Sequence, residues 1–552
     1  MGNTIFDEVI GRLTARAPDW HRLEPAERAG LLRRCISGVL SVAGQWAALG
    51  SRAKGLDPSE TLAGEEWLAG PMTTIRGFRL AAETLESLGQ PEALAASSGP
   101  GGRTVVPVFP ASLLDRLLYL GISGEIWLQP GAPPTRASAY RAPSGPRDEG
   151  VALVLGAGNV SSIGPLDALA MLVAYNQVVL LKLNPVNEYL QPVFEQAFAP
   201  LIEAGYLAIL RGGGEVGEAL CHHPGVSRVH LTGARRTYDA IMWGRDPVER
   251  RDRLAAGTPR LAKPFTAELG CVTPILVPPG PWSDGDLEFQ ARHVAAMVAH
   301  NASFNCVAGK VLVLARDWPQ RRAFLDAVSR VLARTPGRRA YYPGAEDRYA
   351  AFLQRYPQAQ ALGPAGAGVI PWTLIPDVPA AAGEYALEEE AFCGVLAVAT
   401  IDCADVPSFL ANAVPFANDR IDGTLSAMML VHPSAATEHA DSIEQALVGL
   451  RYGSIGINLW SGLVFAIGTT TWGAYPGHTP ADVGSGIGVV HNSFLFDHPE
   501  KSVVRGPFRC WPTPVWFADH RTLIDVGRRM TAFEAAPSFA KLPGILAAAL
   551  RG

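Results

Sequence analysis

The sequence has 552 residues, of which 48% are hydrophobic and 18% charged, and its formal net charge is -5. This length predicts two or three domains, and the composition is that of a soluble globular protein. The slightly acidic balance gives no indication of a nucleic-acid partner, which would favour a basic surface. The cysteines stand singly, with no CxxC pair, which argues against a disulfide framework or a structural zinc site and fits a reducing cytoplasm.

The two ends of the chain carry no clear targeting or membrane signal. The start "MGNTIFDEVI" lacks the basic flank of a signal peptide, and Phe6 stands where a myristoylation motif has Ser or Thr. No uncharged apolar run is long enough to span a bilayer, and the apolar tail "FAKLPGILAAALRG" is expected to be a docked helix. We therefore expect a cytoplasmic protein with no membrane partner.

The N-terminal part is predicted to be helical from about residue 5 to 95, because apolar residues recur there at three- and four-residue spacing. A loop is expected at 96–102. The Pro-rich stretch 129–150 is predicted to be irregular, with room for one exposed hairpin.

From residue 151 onward, short apolar runs alternate with helical segments. Strands that are apolar throughout and separated by amphipathic helices imply a parallel sheet covered on both faces. We therefore predict two α/β domains in tandem. The strands of the first are "VALVLGAG", "QVVLLKLN", "YLAIL" and "RVHLTG", and those of the second are "PILVP", "GKVLVLA", "GVLAVAT", "LSAMMLVH" and "SIGINL".

The stretch "RGGGEVG" at 211–217 follows a predicted strand and opens a predicted helix, and it satisfies the GxGxxG pattern. Glycines at such a place let backbone N–H groups approach a pyrophosphate at a helix N-terminus. A tight turn with no ligand is the alternative, so the motif suggests a nucleotide-binding domain and no more.

Two reactive side chains stand at element boundaries. Glu268 lies among apolar residues directly before a predicted strand, so it is either a partner in a buried ion pair or a base with a raised pKa. Cys306 stands on the turn between a helix-like run and a strand-like run. Alone it could be a packing residue, since an unpaired cysteine is often buried.

Together with "LGAGNVSSIGP" upstream, these segments resemble the aldehyde dehydrogenase superfamily, and the order of motifs agrees from about residue 151 to 475. "AELGCVTP" resembles the family's Glu-Leu-Gly-Gly motif, and "FNCVAGKVLV" resembles its cysteine motif. "VVLLKLNP" matches the strand that ends in a lysine, "VHLTGA" the turn that contacts the cofactor, and "EEAFCGV" the Glu-x-Phe segment.

The resemblance implies an α/β fold with a Rossmann-like nucleotide-binding domain, a second α/β catalytic domain and an oligomerisation hairpin. We assign 1–265 to the N-terminal helices and the nucleotide-binding domain, with a projecting oligomerisation segment at about 123–149. Residues 266–460 are assigned to the catalytic thiol domain, and 461–552 to a C-terminal segment that returns to the nucleotide domain and the oligomer interface. A homodimer or homotetramer is expected.

The resemblance also assigns catalytic roles. Cys306 would be the nucleophile that forms a thiohemiacetal and then a thioester, and Asn159 would polarise the carbonyl oxygen, although it could also be a structural residue of its turn. Glu268 would be the general base for hydrolysis. The implied activity is NAD(P)-dependent oxidation of an aldehyde to a carboxylate. Alternatives are a coenzyme A-acylating aldehyde dehydrogenase, an acyl-thioester reductase, or a catalytically inactive family member used for binding or assembly.

For the cofactor, NAD or NADP, the matching positions lie at strand ends and turns, although a solvated acidic loop is the alternative for the acids around residue 390. Lys182 matches the lysine that reaches the adenosine ribose, and Pro185 replaces the glutamate that disfavours a 2′-phosphate. With Arg235 and Arg236 nearby, we expect NADP to be accepted at least comparably to NAD. The remaining positions are Gly213, Gly217, Gly233, Ala234, Glu390 and Phe392.

Because the sequence departs from the family pattern at several positions, the resemblance does not identify the substrate. The aromatic residues that flank the family asparagine are absent around Asn159, Tyr238 and Cys271 replace glycines, and Cys393-Gly394 replaces Gly-Pro. Cys221-His222-His223 cannot converge on one ion, so no metal site is expected. Beyond "TTWGAYPG" the C-terminal segment has no family counterpart.

Overall fold

The structure is a computed structural model that describes residues 2–88, 95–141 and 150–552. Its strands, in chain order, are β1 (Ser97–Ser98), β2 (Thr104–Phe109), β3 (Ser123–Leu128), β4 (Val151–Leu155), β5 (Val179–Lys182), β6 (Leu207–Leu210), β7 (Val226–Gly233), β8 (Phe265–Leu269), β9 (Pro274–Val277), β10 (Val311–Ala315), β11 (Gln360–Leu362), β12 (Trp372–Val378), β13 (Val395–Ile401), β14 (Ser426–Met429), β15 (Ser454–Ile457), β16 (Trp472–Gly473), β17 (Gly486–Ile487), β18 (Val489–His491) and β19 (Pro499–Arg505).

The α-helices, in the same order, are α1 (Gly2–Arg22), α2 (Pro25–Ala53), α3 (Gly64–Trp67), α4 (Thr73–Ser87), α5 (Leu113–Leu118), α6 (Ser138–Arg141), α7 (Ile163–Val173), α8 (Gln191–Ala197), α9 (Ala199–Glu203), α10 (Gly214–His222), α11 (Arg235–Met242), α12 (Pro247–Ala256), α13 (Asp284–Ala299), α14 (Arg321–Arg334), α15 (Ala345–Arg355), α16 (Tyr385–Glu388), α17 (Val406–Arg420), α18 (Pro433–Glu438), α19 (Ala440–Gly449), α20 (Gly462–Ala466), α21 (Leu523–Ala535) and α22 (Leu542–Ala549). A π-helical turn, Leu68–Met72, joins α3 to α4.

A six-stranded sheet with the order β6-β5-β4-β7-β8-β17 forms the first α/β unit of the described chain. The strands from β6 to β8 are parallel, and β17 pairs antiparallel with β8. The strand order reverses at β4 and β7, as in a Rossmann-like domain, where a crevice opens outside the carboxyl ends of the strands. The four strands predicted for this domain are confirmed.

A sheet of eleven strands forms the second unit, with the order β1-β2-β3-β19-β15-β14-β9-β10-β13-β12-β11 among the described residues. Its strands from β19 to β12 are parallel, and the strands at both edges are antiparallel. All five strands predicted for the second domain lie in this sheet. The α/β fold class is therefore confirmed.

The segment expected to project as an oligomerisation hairpin is placed differently along its length. Residues 123–128 form β3, which lies between β2 and β19 inside the larger sheet. The next residues run to α6 without forming a strand, and 142–149 lie outside the described residues. Whether any part of the segment pairs with a second copy stays a prediction.

The proposed domain division can be compared with the strand pairing. β8 begins at the assigned boundary of 265/266 and pairs within the nucleotide-binding sheet. β2 and β3 come before that sheet in the chain but join the larger one, while β17 returns from the C-terminal segment to β8. The three-part division stays a proposal. In it, β2 and β3 belong to the N-terminal part but pair in the larger sheet, and β17 belongs to the C-terminal part but pairs in the smaller sheet.

The N-terminal helices form as their apolar spacing predicts. α2 begins at Pro25, where Glu24 and Glu27 form a reciprocal capping box, and it packs against α4 and α8. At the other end of the chain α22 packs against α21, which confirms the docked terminal helix. Across the described ranges, no helix has the length and apolar character needed to cross a bilayer.

Candidate active site

Cys306 lies half-buried on the turn between α13 and β10. Three consecutive residues of this turn, Asn301, Ala302 and Ser303, have left-handed backbone angles, with φ of 55°, 55° and 68°. Such a conformation costs about 1–2 kcal/mol per non-glycine residue, and strain of this kind persists where the surroundings hold it in place. The thiol therefore stands on a turn that its neighbours must stabilise.

The Asn301 side chain is the main clamp of this turn. Its Nδ2 donates to the Asn159 carbonyl at 3.0 Å and to the Phe304 carbonyl at 3.1 Å. Its Oδ1 accepts from Lys54 Nζ at 2.9 Å and from the Tyr341 hydroxyl at 3.0 Å. Asn301 thus ties the thiol turn to the turn that carries Asn159.

Buried charges from the N-terminal helices support the clamp. Lys54 Nζ lies 2.7 Å from Glu66 Oε1 and also donates to the Asn159 carbonyl, while Glu65 pairs with Arg338 at 3.1 Å. The Glu65 carboxylate also accepts the Asn301 backbone N–H. The sequence analysis did not predict these buried ion pairs. The adjacent acids in the apolar segment "LAGEEWLAG" are a signal for them, because buried charges need partners.

Glu268 lies inside β8, and the expectation that it precedes a strand is wrong, because the segment "FTAEL" pairs with β7. Its side chain is buried. The Cys306 thiol donates to Glu268 Oε1 at 3.2 Å, and Trp472 Nε1 donates to Oε2 at 2.8 Å. The structure thus brings the predicted nucleophile and the predicted base into direct contact.

The proton-binding properties of this pair follow from burial. Burial raises the pKa of Glu268, and the charge of Asp167 raises it further, against the charge of His491 and the hydrogen bonds from Trp472 and Cys306. Burial also raises the pKa of the Cys306 thiol well above its usual value, and Glu268 and Glu390 add to this effect. The resting thiol therefore keeps its proton, and the Glu268 carboxylate is the hydrogen-bond acceptor that it contacts.

Asp167, on α7, is a neighbour that sequence reasoning missed. It is fully buried and accepts hydrogen bonds from His491 Nε2 and the Thr232 hydroxyl, both at 2.9 Å. Burial alone would raise its pKa, but His230 and His491 lower it to about 2. Asp167 is thus a fixed negative charge that acts on Glu268.

Asn159 lies in the turn between β4 and α7, and its Nδ2 donates to the Phe304 carbonyl at 2.9 Å. An amide has two N–H donors, so this bond leaves a second one. Asn159, Glu268 and Cys306 line one cavity of about 380 Å3. A carbonyl group bound there would meet the thiol, the base and the amide together.

The predicted cofactor positions meet at the carboxyl edge of the six-stranded sheet. Lys182 ends β5, Gly233 ends β7 and Ala234 is the N-cap of α11. Gly213 is the N-cap of α10, whose first turn includes Gly217. A Cβ at Gly213 would meet no atom within 4 Å, so the helix start has open space in front of it, as a pyrophosphate requires.

Glu390 is placed near the thiol, and burial raises its pKa to about 7 although Lys310 and Arg348 lower it. Its Oε1 is buried and finds no hydrogen-bond partner among the described residues. An orphaned carboxylate oxygen suits a sugar hydroxyl, which would supply the missing donor. The nearby Phe392 has a left-handed φ of 41° and packs against Phe304 with ring centroids 5.6 Å apart. These residues fit a nicotinamide dinucleotide that reaches from Lys182 to Glu390.

A carboxylate near Lys182 was also missed. Glu188 Oε1 accepts the Gly212 backbone N–H at 2.7 Å. Burial lowers the pKa of Lys182, and the charge of Glu188 opposes this effect, so the two side chains are neighbours. Pro185 thus removes a carboxylate at the family's position, while Glu188 places another one close by.

Other residues singled out from the sequence have structural contacts. Tyr238 and Cys271, which replace glycines, are buried, and His223 pairs with Asp7 at 2.8 Å. In the part of the chain that the structure describes, no group of three or more His, Cys, Asp or Glu side chains is arranged to hold a metal ion.

Comparisons with known proteins agree with this geometry. The model of the aldehyde dehydrogenase family matches residues 131–336, which include Asn159, Lys182, Glu268 and Cys306. Among solved structures, the chain is similar to the aldehyde dehydrogenase KauB from Pseudomonas aeruginosa, with 18% identity over 91% of this chain and 88% of that chain and a TM-score of 0.60.

Two further structures show the same fold. The indole-3-acetaldehyde dehydrogenase AldA from P. syringae, solved with NAD+ and IAA, is 19% identical over 90% of this chain and 88% of its own, with a TM-score of 0.61. The gamma-glutamyl-gamma-aminobutyraldehyde dehydrogenase from Burkholderia cenocepacia J2315 is 19% identical over 91% and 88%, with a TM-score of 0.60. The aldehyde dehydrogenase family model thus matches the segment that carries the candidate catalytic residues, and the solved structures show that the chain has the fold of aldehyde dehydrogenases.

Proposed function

We propose that this protein oxidises an aldehyde to a carboxylate through a covalent adduct on Cys306, with NAD or NADP as the hydride acceptor. The observation that carries the proposal is the 3.2 Å contact between the Cys306 thiol and Glu268 Oε1, in a cavity that Asn159 also lines. A nucleophile, a base and an oxyanion donor in one cavity are the parts that acyl transfer requires.

In the first step Glu268 accepts the thiol proton, and the Cys306 sulfur attacks the carbonyl carbon. A C–S bond forms while the carbonyl π electrons move to oxygen. The second N–H of the Asn159 amide stabilises the developing negative charge, because a fixed neutral donor in a buried site needs little reorganisation. The product of this step is the thiohemiacetal anion, and Glu268 then releases the thiol proton to solvent and is ionised again.

A bound nicotinamide would supply the hydride acceptor that takes the thiohemiacetal carbon to the oxidation level of a thioester. The chain's part is to hold that cofactor and to keep the thiohemiacetal in place. Lys182, the glycine turn at Gly213 and Gly217, and the turn at Gly233 and Ala234 are proposed to hold the adenosine and pyrophosphate end. Glu390 and Phe392 are proposed to hold the nicotinamide end.

In the last step Glu268 removes a proton from water, and the resulting hydroxide attacks the thioester carbon. The C–S bond breaks and the electron pair returns to sulfur. The carboxylic acid gives its proton to the thiolate and leaves as a carboxylate, and Glu268 releases the proton of water to solvent. A buried carboxylate with a raised pKa suits this role, since burial makes it a stronger base than an exposed carboxylate. The presence of Glu268 favours water over coenzyme A as the acceptor.

The proposal is tested by supplying purified full-length protein with a panel of aldehydes and following NADH or NADPH absorbance. Cys306→Ala is expected to abolish turnover and leave cofactor binding intact. Cys510→Ala is the matched control, because Cys510 is a half-buried thiol that lines the same cavity. Activity retained by Cys306→Ala would contradict the covalent mechanism.

Product analysis separates the alternatives. Carboxylate formed without coenzyme A supports hydrolysis, whereas turnover that depends on coenzyme A would favour an acylating dehydrogenase or reductase. Protein that binds neither NAD nor NADP would favour a catalytically inactive family member used for binding or assembly.

Assembly and location are part of the proposal. We propose a cytoplasmic homodimer or homotetramer, on the strength of the family's habit of pairing through a projecting segment. Both neighbours of β3 are strands of the same chain, so an interface would use a different part of 123–149 or another surface. Light scattering at micromolar protein tests this, and a monomeric mass would contradict it.

A further inference from the structure

We infer that the aldehyde has a long apolar tail, which lies in a channel built largely by the C-terminal segment. The inference rests on the proposed function and goes beyond it by naming the substrate class. The supporting observation is the composition of the cavity lining. The chemistry-bearing side chains are gathered near the thiol and come from the turns and strands of the two α/β units: Asn159, Glu268, His300, Asn305, Cys306 and Trp472.

The remainder of the cavity leads away from this polar end. Its walls come from the π-helical turn at 68–72, from α5 and the residues after it, from the loop 507–516, and from α21 and α22. Most of the side chains in these walls are apolar, including Met72, Leu118, Met530 and Ile545. Arg509 also lines the cavity, but it is half-exposed and lies 3.6 Å from Asp286. A charged or strongly polar tail would lose its hydration here without gaining matched partners.

Buried ion pairs hold one wall of the channel together. Arg76, on α4, lies 3.1 Å from Asp115 on α5 and 2.7 Å from Glu534 on α21. Arg79 lies 2.6 Å from Glu534 as well. None of these four side chains is among the residues that line the cavity, so their charges fix the helices without offering a polar contact to a ligand.

The solvent-exposed part of the cavity lining is apolar, apart from Arg509. Four side chains both line the cavity and are exposed to solvent: Leu117 (38%), Leu120 (69%), Trp511 (81%) and Leu546 (39%). They come from three separate regions of the chain, α5 and the residues after it, the loop 507–516 and α22, so the patch is assembled by the fold. Clustered exposed apolar side chains beside a binding cavity indicate a hydrophobic ligand. The apolar tail of a substrate would cover the inner faces of these residues.

The contribution of the C-terminal segment explains why the sequence alone does not predict the apolar channel. The sequence motifs of residues beyond "TTWGAYPG" match none of the family motifs, yet the loop 507–516 and helices α21 and α22 contribute a large share of the channel. The segment therefore has a direct role at the candidate site. It extends the space available to the group attached to the carbonyl.

The experiment measures kcat/KM for a series of unbranched aldehydes from propanal to dodecanal. We expect a rise of up to about fourfold per added methylene until the tail fills the channel, the value expected for full burial of each methylene. Leu546→Lys should flatten this rise, with a loss of about tenfold for decanal and a smaller loss for shorter aldehydes. A series with no dependence on length, or with a preference for short or charged aldehydes, would overturn the inference.

Matched controls are available at the start of α5 and directly after the end of α22. Leu550 and Leu113 are exposed leucines that do not line the cavity. Leu550→Lys is the control for Leu546→Lys, and Leu113→Lys is the control for Leu117→Lys. The same loss in a control and in its partner would show a general effect on folding or solubility, and would count against the channel.

A binding measurement separates this inference from the proposed function. Decanol cannot be oxidised through Cys306 as an aldehyde can, and Trp460, Trp472, Trp511 and Trp516 line the cavity, so its binding can be followed by tryptophan fluorescence. Saturable binding to the wild type and to Cys306→Ala, weakened by Leu546→Lys, supports the channel even if no aldehyde is oxidised, in which case the proposed function alone fails. Aldehyde oxidation without decanol binding leaves the proposed function standing and overturns the tail channel.

Discussion

The hydrogen bond from Trp472 to Glu268 allows the proposed base to be tested through its pKa. In Trp472→Phe the indole N–H that lies 2.8 Å from Glu268 Oε2 is lost. A hydrogen bond to a charged group contributes about 1.5–3 kcal/mol, and 1.36 kcal/mol corresponds to one pKa unit. Because the bond stabilises the carboxylate form, its loss raises the pKa of Glu268. The acid limb of the pH profile should therefore move upward by about one to two pH units.

The assay is the pH dependence of kcat/KM with a saturating cofactor and one aldehyde. Trp460→Phe is the matched control, because Trp460 lines the same cavity but donates to the Val307 carbonyl, at 3.0 Å. We expect the acid limb to move in Trp472→Phe and to stay near the wild-type position in Trp460→Phe. An acid limb that is the same in both variants, with activity otherwise retained, would refute the assignment of Glu268 as the titrating base.

Two further predictions follow from neighbouring charges. Asp167→Asn removes a negative charge that raises the pKa of Glu268, so the acid limb should move to lower pH, and an upward or absent movement would count against this coupling. Glu188→Gln removes the carboxylate beside Lys182, so the ratio of kcat/KM for NADP to that for NAD should rise about tenfold, or ~1.4 kcal/mol. Glu195→Gln, on the exposed face of α8, is the control for the second prediction, and an equal ratio in both variants would contradict it.

Much of the fold could be predicted because its signals are local. Continuous apolar runs predicted the parallel strands, and apolar spacing predicted α2. The error at Glu268 has a simple cause. A carboxylate is unusual within a buried strand, so the sequence pattern predicts a strand boundary at this residue. In the structure, Cys306 and Trp472 satisfy both of its oxygens.

The parts of the site that were missed depend on contacts between distant segments. The clamp at Asn301 needs Lys54 and Tyr341, which no spacing rule brings together. The fixed charge at Asp167 depends on His491, far along the chain. The placement of β3 beside β19 depends on pairing across most of the chain. Long-range pairing of this kind has no local sequence signature.

The most direct test of the account is the trapping of the covalent intermediate in Glu268→Gln. The amide keeps the shape of the side chain but cannot act as a base, so any thioester that forms should persist. After a single turnover with NAD+ and an aldehyde, intact-protein mass spectrometry with peptide mapping should show one acyl group on Cys306, while the wild type shows none. Normal steady-state turnover in Glu268→Gln, or an acyl group on Cys510 with Cys306 unmodified, would contradict the account.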